Sequence, residues 1–149
     1  MIEISFAFTE DALRREKQRP WKSLRNEEFF ICFESKIQIA DETGHRIILA
    51  ESPLLGFCSE LQRGCAELAS ENVFELSDFY GNYRLEIRRH GESVGIFKSS
   101  SNQMAFARLN DLTCAALSLG TRAVEAIEKE FPQVLENLVW TKARNTLCQ

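Results

Sequence analysis

The chain has 149 residues, 44% hydrophobic and 27% charged, which are values of a globular protein rather than a disordered one. Its net charge of −4 and pI near 5.3 argue against phosphate-driven nucleic-acid binding, which needs clustered Lys and Arg. No apolar run approaches the roughly 18–20 residues that cross a bilayer, and Met1-Ile2-Glu3-Ile4 lacks the basic start of a Sec signal, so a cytoplasmic protein without membrane contact is expected.

Ile2, Ile4, Phe6 and Phe8 alternate with Glu3, Ser5 and Ala7, the period of a half-buried first strand. Thr9 is placed to cap a short helix through Lys17, and Pro20 lies beyond its end. Pro20 to Glu28 reads as a polar connection. A long strand is then expected from Phe29 to Ile39, followed by a hairpin turn at Asp41-Glu42-Thr43-Gly44 and a returning strand, Arg46 to Ala50.

The next element is the best signalled. Ser52 is positioned as an N-cap and Pro53 as the first helical residue, and Leu54, Leu55, Cys58, Leu61, Cys65 and Leu68 form one apolar stripe towards Ala69. Short strands follow at Val73 to Leu76, Tyr83 to His90, Val94 to Phe97 and Met104 to Leu109. Asp111 is then a candidate cap for a long helix whose stripe is Leu112, Ala116, Leu119, Ala123, Ile127 and Phe131. Pro132 stops or restarts it, and Gln133 to Trp140 has room for a short terminal helix. Each element has one apolar face needing cover. The expectation is therefore a single α+β domain over 1–149, a two-layer sandwich in which two main helices pack on one face of a mainly antiparallel sheet.

Little in the chain looks like reaction chemistry. Cys32, Cys58, Cys65, Cys114 and Cys148 contain no C-x-x-C pair, and neither His45 nor His90 adjoins a cysteine. Free thiols and no metal are expected, with Cys58 and Cys65 as small hydrophobes on a helix stripe. His45 and His90 sit at turns with no nucleophile beside them. Gly91-x-x-x-Gly95 falls in a hairpin rather than at a strand-to-helix turn, so it makes no phosphate cradle. Gly120 inside a helix points to close packing or a small kink. No catalytic residue and no cofactor are expected.

Binding is the better-supported expectation. Asp78-Phe79-Tyr80-Gly81-Asn82-Tyr83 concentrates three aromatics and an acid in one strand connection. Exposed aromatics on a fixed loop are favoured interface anchors, although Phe79 and Tyr83 can equally turn inward to seal the core. The candidate partner-binding residues are Asp78, Phe79 and Tyr80, with the acids Glu34, Asp41, Glu42 and Glu86.

From Arg46 to about Phe131 the chain resembles small bacterial immunity proteins of polymorphic-toxin and contact-dependent-inhibition systems. The residues carrying the resemblance are Ile47-Ile48-Leu49-Ala50-Glu51-Ser52-Pro53-Leu54-Leu55, Glu60-Leu61, Tyr83-Arg84-Leu85-Glu86-Ile87, Val94-Gly95-Ile96-Phe97 and Leu112 to Phe131. It implies a non-enzymatic monomer or homodimer that binds the C-terminal domain of a cognate toxin. Two other readings stand beside it. One is a small enzyme or ligand-binding domain assembled from His90, Asp78 and Arg84, which a polar pocket holding several of them favours. The other is a structural or adaptor subunit whose exposed edge strand pairs with itself or another chain.

Overall fold

The first strand, β1 (Ile2–Phe8), pairs antiparallel with β2 (Glu34–Asp41), which pairs antiparallel with β3 (Arg46–Pro53). The structure, a computed structural model, describes residues 1–78 and 80–148. Between β1 and β2 lie α1 (Glu10–Glu16), a 3-10 turn (Trp21–Ser23) and the one-turn helix α2 (Asn26–Phe29). Then come α3 (Leu54–Glu67), the strands β4 (Val73–Ser77), β5 (Arg84–His90), β6 (Ser93–Lys98) and β7 (Met104–Arg108), α4 (Leu109–Glu130), a 3-10 turn (Pro132–Glu136) and α5 (Trp140–Leu147). The fold is α+β, with two antiparallel sheets ordered β1-β2-β3 and β4-β5-β6-β7.

The expected single sheet is thus divided. β7 comes alongside β3, but side chains bridge the seam in place of a backbone ladder. The Ile48 N–H donates to Gln103 Oε1 at 2.9 Å, Lys98 Nζ donates to the Ile48 carbonyl at 2.8 Å, and the Phe106 N–H donates to Asp41 Oδ2 at 2.9 Å. Alternation shows that a strand exists and which face is buried, not which edge it pairs with.

The helix stripes are where periodicity puts them. Leu54, Leu61 and Leu68, with Leu112, Leu119 and Ile127, are at most 1% exposed, in a core continuous across both sheets. α3 packs on α4, α3 also touches β3 and β4, and α4 touches β1 and β7. Gln62 Nε2 donates to the carbonyls of Ala116 (3.3 Å) and Leu147 (3.2 Å), tying α3 to α4 and α5. Gly120 marks a close approach. A Cβ there would lie 2.5 Å from the Leu147 carbonyl oxygen.

Several boundaries differ from the reading of the sequence. Ser52 is not a cap: it is the penultimate residue of β3, its hydroxyl lies 2.9 Å from that of Tyr83, and α3 begins without a side-chain cap. Asp111 lies in the first turn of α4 rather than capping it. The terminal helix falls at Trp140–Leu147, beyond the expected 133–140 segment.

The largest difference concerns residues 20–33. The supposed polar connection holds Trp21, 1% exposed, and the supposed strand from Phe29 starts only at Glu34. Phe33 has φ of +60°, which takes it out of any strand and costs a bulky L-residue roughly 1–2 kcal/mol. Trp21 stacks between Phe29 (5.8 Å) and Phe33 (4.8 Å), Phe29 meets Trp140 at 5.1 Å, and Asn137 Nδ2 donates to the carbonyls of Trp21 and, at 2.8 Å, Leu24. The two ends of the chain build this aromatic part of the core together.

All five cysteines are free thiols: Cys32, Cys58 and Cys65 are buried, Cys114 is exposed and Cys148 half-buried. Burial pushes the Cys32 and Cys58 thiols up to about 12. Alkylation of the native protein at pH 8 is expected to label Cys114 first and Cys148 next, and the other three only after unfolding. Rapid native labelling of Cys58, read by mass spectrometry, contradicts this packing.

Candidate functional site

β4 is the outermost strand of the second sheet. Phe74 and Leu76 point inward and are buried, while Val73, Glu75 and Ser77 are exposed. The chain then turns on Asp78, whose Oδ1 accepts the Asn82 N–H at 2.6 Å while its carbonyl accepts the Gly81 N–H at 3.2 Å. Gly81 adopts φ of +73°, which glycine reaches without a Cβ clash.

This turn separates the aromatics. Tyr80 is 56% exposed at the tip, whereas Tyr83 turns inward to the Ser52 hydroxyl, and burial drives its phenol well above the usual range. Phe79, expected beside Tyr80, lies outside the described residues. Beneath the connection is a cleft of about 320 Å³ with apolar walls from Phe30, Ile31, Pro53 and Leu76. The charged residues lining it are both acids, Glu60 and Asp78.

A second hollow, of about 660 Å³, crosses the outer face of β5–β7 beside the β2–β3 turn. Gly95, Phe97 and Phe106 give it an apolar floor, and a Cβ on Gly95 would come within 2.8 Å of the Phe97 ring. Glycine in a strand was the one sequence signal for this close approach. The charges around the hollow are already answered. Arg88 donates to Glu86 at 2.9 Å, Arg108 to Glu92 at 2.6 Å, and Glu42 pairs with the N-terminal amine.

The expected partner-binding residues therefore divide among several places. Asp78 lines the smaller cleft, Asp41 and Glu42 line the larger hollow, and Glu86 holds an arginine at the latter's rim. Glu34 lines neither; it pairs with Arg15 at 3.5 Å. His90 and Asp78 sit on different hollows and Arg84 on neither, so the dispersed polar site is not brought together in either. Among the described residues, no group of three or more His, Cys, Asp or Glu side chains is arranged to hold a metal ion. No helix among them is long and apolar enough to cross a membrane.

Asp41 is built into the fold rather than offered to a partner. Its carboxylate, 2% exposed, accepts from the N–H groups of Thr43, His45 and Phe106, and from the Thr43 hydroxyl. Burial raises its pKa, but these hydrogen bonds, led by Phe106, outweigh burial and hold the carboxyl at about 2. A depressed carboxyl stabilises the fold above its unfolded pKa of about 4, and the contribution is lost as pH falls towards 2. Asp41→Asn is expected to cost about 2 kcal/mol at neutral pH, and the gap from the parent to narrow between pH 4 and 2 in urea unfolding. A gap independent of pH over that window contradicts the role.

Compared with known proteins, the chain matches no family model, no curated protein and no solved structure.

Proposed function

We propose that this chain is a non-enzymatic, cytoplasmic protein-binding module that neutralises a bacterial toxin domain by covering it, as the immunity proteins it resembles do. We read it as two layers, with α3 and α4 behind the sheets, so that the outer face and the β4 end meet the partner. The observation that carries the reading is the acidic β4 end, where the exposed Tyr80 lies two residues beyond Asp78, which with Glu60 forms the charged lining of a cleft. Arg63 pairs with Glu60 at 2.7 Å, whereas Asp78 has no ion pair among the described residues. An aromatic anchor beside such acids suits a basic enzyme surface, where the aromatic supplies buried area and the charge speeds encounter.

The test is to read the neighbouring genes for a toxin C-terminal domain and to co-express the chain with it; the lack of any such domain there also overturns the reading. Expected are restored growth and a stoichiometric complex without turnover; undiminished toxicity beside a folded, soluble chain overturns the reading. Within that complex, Tyr80→Ala is expected to weaken binding by about 2 kcal/mol or more while leaving the melting temperature nearly unchanged. Titration calorimetry and thermal melts separate the two effects. A variant that unfolds places Tyr80 in the core instead.

A further inference from the structure

The two sheets have four edges, and on three of them at least one outward backbone group is bonded from within the chain. On β1, the Ile4 carbonyl accepts from Arg122 at 2.8 Å. On β3, Ile48 is bonded at both its N–H and its carbonyl by Gln103 and Lys98, and on β7 the Phe106 N–H is bonded by Asp41. β4 differs. The Arg89 N–H donates to the Asn72 carbonyl at 2.7 Å, so these residues form a hydrogen-bonded pair of the antiparallel ladder. The register continues it through Val73↔Arg88 and Phe74↔Ile87, and bonded and non-bonded pairs alternate. Phe74 and Leu76 therefore bond to β5, while Val73, Glu75 and Ser77 direct their N–H and carbonyl groups to the open edge. Among the described residues, nothing bonds to those groups there.

Charge selects what fits this edge. Residues 64–83 contain Glu67, Glu71, Glu75 and Asp78 and no Lys, Arg or His. Arg63 and Arg84 answer Glu67 and Glu75 in exposed pairs, and Glu71 and Asp78 have no ion pair among the described residues. A second copy would set one acidic edge against another. Starting from the protein-binding reading, we propose that the β4 edge accepts an extended, lysine- or arginine-bearing segment of a partner protein as a fifth strand of the second sheet. The incoming backbone satisfies Val73, Glu75 and Ser77, and its basic side chains meet the exposed carboxylates of Glu71 and Glu75.

The probe is a blocked seven-residue peptide alternating Lys and Val, compared with the same peptide carrying Pro at its centre. The intact chain is followed by amide hydrogen exchange in NMR. The expected result is slowed exchange at Val73, Glu75 and Ser77 with the first peptide and not the second, and weaker binding as salt rises. Glu75→Pro removes only an outward N–H, and Glu75→Lys reverses the charge while keeping that N–H. Each is expected to weaken the peptide about tenfold. The lysine variant keeps the test open if the proline variant fails to fold. Equal protection by both peptides, no protection at these amides, or a free chain already dimeric with them protected overturns the proposal. A failed peptide titration leaves the neutralisation test standing, and failed neutralisation leaves the peptide result standing.

Discussion

Glu16→Ala is expected to lower unfolding free energy by roughly 2–4 kcal/mol, a large loss for a charged residue on a short helix. The Glu16 side chain is fully buried. Its Oε2 accepts the Phe33 N–H at 2.9 Å and its Oε1 accepts Arg19 Nε at 2.8 Å, while its own carbonyl receives the Trp21 indole N–H at 2.6 Å. Removing the carboxylate strands the buried Phe33 N–H, at the residue held in a left-handed conformation. Arg19 is 29% exposed and regains water, which keeps the cost below that of a fully buried orphaned charge. Glu16→Gln retains an acceptor for Phe33 and is expected to lose less. Urea unfolding with unchanged slope is the measurement, and a loss under about 1 kcal/mol contradicts the role.

Leu61→Ala is expected to cost about 2–5 kcal/mol through lost transfer energy and the cavity left behind. Leu61 is 1% exposed on the face of α3 that meets the core. Its neighbourhood has limited freedom to collapse, because Gln62 ties the helix to α4 and α5 and Gly64 brings it against the Phe74 ring. A cost below about 1 kcal/mol would mean that α3 can shift to close the gap.

The two substitutions mark different degrees of legibility. Leu61 belonged to a stripe read directly from spacing, since a helix on a core must repeat its apolar residues every three or four positions. Glu16 carried no such signal. It lay in a charged stretch, Leu13-Arg14-Arg15-Glu16-Lys17, where a buried carboxylate looks the same as a solvated one. The candidate site was legible in part. Tyr80 is exposed and Asp78 lines a cleft, but Glu60, the other acid there, sits beside Leu61 on α3 with nothing in its spacing to mark it. Asp41 was legible as a turn residue, though not as the acceptor for Phe106, 65 residues on.

Local physics in the sequence determined the α+β class, β1, the Thr9 cap, the β2–β3 turn and the apolar faces of α3 and α4. Each rests on alternation, a capping hydroxyl or a turn glycine acting over a few residues. The tertiary structure alone decided that the strands form two sheets, that side chains fill the seam, and that residues 20–33 turn inward onto the C-terminal segment. It also decided which edge stays open, because a backbone N–H looks identical in every strand until its neighbours are in place.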